Sequence, residues 1–101
     1  MNTCSYMSIT NTVALLKLIS SETRFKIFTI LARPAKNTVC VKEIARHIGK
    51  THSATSHQLS KLEEKGFVQG SRCGQTICYQ LTHTPEATLL KKIVKHCQNS
   101  T

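Results

Sequence analysis

Residues 40–66, CVKEIARHIGKTHSATSHQLSKLEEKG, decide the fold of this chain. Val41, Ile44, Ala45 and Ile48 recur at i, i+3, i+4 and i+7, so the spacing predicts a short helix over Val41–Ile48 with one apolar face. Cys40-Val41-Lys42-Glu43 has the spacing of a capping box at its start, with Cys where Ser or Thr usually stands. Gly49 suits the position just past a helix end. Thr51 is then the N-cap of a second helix, His52–Lys65, which Gly66 closes. Two helices joined by a tight turn containing Gly make a helix-turn-helix.

Working outward, residues Val13, Ala14, Leu15, Leu16, Leu18 and Ile19 predict a helix over Thr12–Ile19 with almost no polar face. A helix apolar all round is covered on both sides. The core of a 101-residue chain covers only one, so the second side is expected to meet another copy of the chain. Ser21 caps a helix over Glu22–Ala32, whose apolar residues are Phe25, Phe28, Leu31 and Ala32 with Ile27 and Ile30 alongside. Pro34 is expected to end it, with Ala35–Thr38 as a loop.

Downstream, Phe67–Ser71 and Thr76–Leu81 predict two strands around the turn Arg72-Cys73-Gly74-Gln75. With Gly74-Gln75 as the two turn residues, Cys78 pairs with Ser71 and not with Cys73. Ile77, Tyr79 and Leu81 alternate with Cys78 and Gln80, which predicts one apolar face. Thr84 caps a last helix with Pro85 in its first position, and Leu90, Ile93, Val94 and Cys97 form its apolar stripe opposite Lys91, Lys92 and Lys95. The expected fold is mainly α with a small β-hairpin: a winged helix-turn-helix. Residues 1–10 are expected to be a flexible N-terminal arm. Residues 11–101 are expected to be one domain, with dimerisation helices at its two ends.

Charge narrows the partner. Lys and Arg total 14 against 5 acidic residues, all Glu, for a net charge of +9. That excess favours a polyanion. On the helix over His52–Lys65, Ser53, Ser56, His57 and Ser60 share one face, opposite Thr55, Leu59 and Leu62. An ordinary solvated face alternates Glu and Lys. This one offers short donors and acceptors suited to base edges in a major groove. Lys50 and Thr51, at the helix N-terminus, suit phosphate contacts. The face has neither aromatic stacking residues nor an apolar Trp/Phe stripe, which disfavours RNA and membrane surfaces. No nucleophile–base pair or phosphate-cradling glycine loop stands out, so the chain is not expected to be an enzyme. No run of 18 apolar residues exists, and the five cysteines are an odd number without secretory context. A cytoplasmic protein with reduced thiols is expected.

The stretch Ser20–Leu81 resembles the ArsR/SmtB family of winged-helix repressors. The resemblance rests on Ser21-Glu22-Thr23-Arg24-Phe25-Lys26-Ile27, on Ser53 through Val68, and on Arg72-Cys73-Gly74-Gln75 with Tyr79-Gln80-Leu81. It implies a homodimeric, sequence-specific regulator of transcription. The first and last helices would pair across the two-fold, and the protein would bind an inverted repeat as a repressor. It implies base-reading roles for His52, Ser53, Ser56 and His57, and wing contacts to DNA from Arg72 and Gln75. Ser60 and Lys61 complete the expected DNA-binding set. A winged-helix protein-interaction or architectural nucleic-acid-binding module without an inducer is the alternative.

Many members of the family respond to a metal ion, through a Cys-Val-Cys at the start of the third helix and cysteines of the arm. Here the matching residues are Cys40-Val41-Lys42, with a cation in place of the second thiol, and Cys4 stands in the arm. Cys4 and Cys40 are the candidate ligands for a thiophilic metal, in a donor set poor for zinc. Cys40 has two other readings: a plain N-cap, or a redox-reactive thiol at a helix N-terminus beside Lys42. The family's other common site, on the last helix, needs an Asp that this chain does not have; His96 is followed at i+3 only by Asn99.

Overall fold

The computed structural model describes residues 7–33 and 38–99. Pro34, expected to end the second helix, residues 35–37 of the expected loop, and Cys4 lie outside the described residues. In chain order the elements are α1 (Ile9–Ile19), α2 (Glu22–Leu31), β1 (Val39–Cys40), α3 (Val41–Ile48), α4 (His52–Glu64), β2 (Val68–Cys73), β3 (Thr76–Leu81) and α5 (Pro85–Asn99). The three strands form one antiparallel sheet in the order β1-β3-β2.

Helix α1 begins at Ile9, three residues before the expected Thr12, so the expected arm supplies its cap and its first two residues. The reason is Ser8, whose Oγ accepts from the Asn11 N–H at 3.0 Å and whose carbonyl accepts from the Thr12 hydroxyl at 2.9 Å. Helix α2 starts at the expected cap, where Ser21 Oγ accepts from the Arg24 N–H at 3.4 Å. Helix α3 ends at Gly49, whose φ of 70° is the left-handed geometry that closes a helix and that side chains with a Cβ resist. Thr51 caps α4, accepting from the Ala54 N–H at 3.1 Å. Thr84 caps α5, accepting from the Ala87 N–H at 3.1 Å.

The core gathers one face from each element. Leu15 and Leu18 of α1 are buried, with Ile27, Phe28, Ile30 and Leu31 of α2. Val41, Ile44, Ala45 and Ile48 of α3 meet Thr55, Leu59 and Leu62 of α4, as the periodicity requires. Phe28 and Phe67 meet edge to face, with ring centroids 6.1 Å apart. Leu90 and Val94 close the core from α5, while Ile93 is half-buried and Cys97 is exposed in the single chain.

The sheet departs from expectation in the bounds of its first hairpin strand, in an added strand and in the place of Ile77, and keeps the expected register. The first hairpin strand is Val68–Cys73 and not Phe67–Ser71, while the second keeps the expected Thr76–Leu81 about the turn residues Gly74-Gln75. The register pairs Ser71 with Cys78, as that turn dictates. A third strand, β1, is present: Val39 pairs with Tyr79 and Cys40 with Cys78. This strand covers one edge of β3 and buries Cys78, whereas Ile77 near the turn is 45% exposed. The apolar face therefore holds Tyr79 and Leu81 without Ile77, which lies past the end of the two-residue strand β1.

Candidate nucleic-acid interface

The second helix of the motif, α4, turns Thr55, Leu59 and Leu62 inward, and all three are buried. At about 100° per residue that places Ser53, Ser56, His57 and Ser60 on the opposite side. Ser53, His57 and Ser60 are exposed and Ser56 is half-buried. The recognition face anticipated from the sequence is thus assembled on one solvent-facing side. His52 stands in the first turn, exposed, beside exposed Lys50. Thr51 is divided: its hydroxyl is occupied by the Ala54 N–H, and its carbonyl accepts from the Thr55 hydroxyl at 2.8 Å. Its side chain is thus committed to capping α4.

Lys61 lies off the serine face. It borders a separate open hollow with Lys17 of α1, Arg24 of α2, and Lys65 and Phe67 beyond α4. Arg24 reaches α4 through Nε, which donates to Gln58 Oε1 at 3.4 Å. Arg72 and Gln75 are exposed at the tip of the hairpin, with Arg72 opposite Ile77. The wing candidates therefore sit together, away from the core.

The sequence reading missed how the wing is keyed to α4. Glu63 Oε2 accepts from the Gly70 N–H at 3.1 Å. Burial first, and the nearby Glu63 carboxylate second, hold the Tyr79 phenol above its ordinary value, against a smaller opposing influence from Ser60. Tyr79 crosses directly over Gly70, its partner in the sheet. A Gly opposite a Tyr in adjoining strands was the available signal. Glu63 is thereby a strut between α4 and the wing, while Ser60, expected as a DNA contact, is exposed on the same helix.

Cys40 corrects a second expectation. It occupies the N-cap position of α3 but makes no side-chain cap hydrogen bond. Its Sγ instead faces Cys78 Sγ at 2.9 Å. The β1–β3 pairing explains this: directly opposed residues project to the same side of a sheet. The Cys78 thiol is pushed up to about 12 by its hydrogen bonds with Cys40 and then Cys73, and by burial. Among the described residues, no three His, Cys, Asp or Glu side chains form a group able to hold a metal ion.

Comparison with known proteins places the same segment. The family model described as "Bacterial regulatory protein, arsR family" matches residues 21–69. The chain is 34% identical over 84 residues to the HTH-type transcriptional regulator NmtR of Mycobacterium tuberculosis, covering 83% of this chain and 68% of that protein. It is 37% identical over 78 residues to the putative arsenical resistance operon repressor ArsR of Halobacterium salinarum, covering 77% of this chain and 60% of the relative. Among solved structures, the transcriptional repressor BigR from Xylella fastidiosa superposes with a TM-score of 0.76 at 27% identity, covering 91% of this chain and 89% of that one.

Proposed function

Because the chain belongs to the arsR family of winged helix-turn-helix, DNA-binding transcriptional regulators, we propose that it acts as a homodimeric repressor reading an inverted repeat in duplex DNA. The family regulates transcription and is not one of enzymes. The observation that carries the reading is the α4 face: small, polar and exposed, backed by a fully buried seam of Thr55, Leu59 and Leu62. Ser53, Ser56 and His57 read bases in the major groove, with His52 at the entry to the helix. Lys50, Lys61 and Arg72 neutralise phosphates, and Gln75 follows the backbone from the wing tip. Two copies of α4 then engage successive grooves.

The dimer rests on α1. Ile9, Val13 and Leu16 repeat at i, i+4 and i+7 and are 83%, 43% and 51% exposed in the single chain, on the side away from Leu15 and Leu18. Such a stripe calls for a partner. Repression follows the names of the relatives, two of which are called repressors.

Between a metal ion and a thiol oxidant as inducer, the described donors favour the oxidant. Half-buried Cys40 has the Cys78 sulfur 2.9 Å away, the arrangement of a dithiol that an oxidant can close. No helix among the described residues is long and apolar enough to cross a membrane, in keeping with a DNA-bound protein.

The test is selection of bound sequences from a pool of random duplexes with the reduced protein. Enrichment of a two-fold symmetric site supports the reading. Uniform, salt-sensitive binding without enrichment overturns it in favour of an architectural role.

A further inference from the structure

Cys40 and Cys78 belong to segments 38 residues apart, yet they are partners in the sheet, and their sulfurs approach to 2.9 Å. That separation leaves less than about 1 Å to a covalent S–S bond of roughly 2.05 Å. Both side chains project from the same side of the sheet, as opposed residues in adjoining strands must. Cys40 is half-buried, whereas Cys78 is only 4% exposed. The accessible member of the pair is therefore fixed by burial. Cys73 offers a rival: it is exposed on β2, two pairs nearer the turn, and on the same side as Cys78.

We propose that Cys40 and Cys78 form an oxidisable dithiol, in which a hydroperoxide oxidises Cys40 and Cys78 resolves it into an intrachain disulfide. In the first step the Cys40 thiolate attacks the outer oxygen of the hydroperoxide. The O–O bond breaks, an alkoxide (hydroxide from hydrogen peroxide) leaves and takes up a proton, and Cys40 becomes a sulfenic acid. In the second step Cys78 sulfur attacks the Cys40 sulfur, the S–O bond breaks, and water leaves with the Cys78 proton. Two thiols are oxidised, and one peroxide is reduced to an alcohol or water. Reduction by an added thiol reverses the reaction through a mixed disulfide.

Topology gives the bond its reach. Cys40 immediately precedes α3, and Cys78 lies in the central strand of the sheet. The loop they close contains α3, α4 and β2, the whole unit to which DNA reading is assigned above. Formation of the bond needs no DNA, so it is decided separately from that assignment.

The experiment uses the full chain, reduced, desalted and exposed to a small excess of hydrogen peroxide. Remaining thiols are alkylated, and the digest is mapped by mass spectrometry. A Cys40–Cys78 linked peptide dominates, disappears on treatment with dithiothreitol, is absent in Cys40→Ser and persists in Cys73→Ser. The oxidised wild type and the oxidised Cys73→Ser variant melt at least about 5 °C above their reduced forms, because a closed loop restricts the unfolded chain. A dominant Cys73–Cys78 link, a link between two chains, or Cys40 recovered as sulfinic or sulfonic acid without a link each overturns the assignment. Titration of the reduced protein onto the selected duplex, run in parallel, reports on DNA reading alone.

Discussion

The ring of Tyr79 lies across the backbone of Gly70, and the arrangement depends on a missing side chain. A Cβ on Gly70 would stand 2.9 Å from Tyr79 Cε1 and 3.2 Å from Cζ. Tyr79 is buried, and Gly70 is tied through its N–H to Glu63, so neither partner retreats freely. Gly70→Ala should therefore destabilise the protein by about 1–3 kcal/mol, in the range of other overpacking substitutions. Denaturant unfolding measures it; a change within about 0.5 kcal/mol would show that the ring moves aside. Cys78 makes a second prediction. Its folded pKa of about 12 exceeds the ordinary 9.0, first because of its hydrogen bond with Cys40. Below pH 9 both the folded and the unfolded thiol keep their proton. Above it the unfolded chain loses the proton first, so stability falls as pH rises from about 9 toward about 12. Under reducing conditions, wild type should lose stability more steeply over that window than Cys78→Ser. Equal slopes would dismiss the shift.

At the scale of elements, α4 separates two kinds of contact. In the proposed reading His57 and Ser53, exposed on one side of α4, meet bases, whereas Lys50, ahead of the helix N-terminus, meets a phosphate. His57→Ala should cost about 1 kcal/mol on the selected site and much less on unrelated duplex. Lys50→Ala should weaken both alike and reduce the slope of log affinity against log salt by about 1. Fluorescence anisotropy across salt concentrations reads both; interchanged patterns would reverse the roles. The helices α3 and α4 were legible because burial repeats every 3.6 residues and both ends carry caps with a mechanism, Thr51 and Gly49. The turn Gly74-Gln75 likewise fixed the register of the hairpin. Strand β1 was not legible: two residues, Val39 and Cys40, have no period. Their pairing is set by the position of β3, which is known only once the core has formed. Missing β1 meant missing the partner of Cys40. Lys61 shows the same limit in the site, since its neighbours Lys17 and Arg24 come from helices distant in sequence. The start of α1 was misplaced for a local reason: the cap Ser8 was set aside as part of a polar arm.

The single chain is incomplete as a surface. One side of α1 is spent on its own core through Leu15 and Leu18, while Ile9, Val13 and Leu16 face water. The charge makes that apolar stripe stand out, since the chain carries +9 overall and keeps none of the charge on these three residues. Pairing two copies along α1 would bury the stripe and set two α4 faces at a fixed spacing, which a two-fold DNA site requires. Val13→Glu with Leu16→Glu tests this directly, because both side chains are already solvent-accessible and the substitution removes nothing from the core. The variant should keep its helical circular dichroism and sediment as a monomer, where wild type sediments as a dimer. Its affinity for the two-fold site should fall by at least about 100-fold, since each half-site then binds alone without the gain from linkage. The salt slope per bound chain should stay nearly unchanged, because the phosphate contacts belong to each copy. A variant that still sediments as a dimer would move the interface off α1. A monomer that keeps full affinity would mean that one copy is the DNA-reading unit.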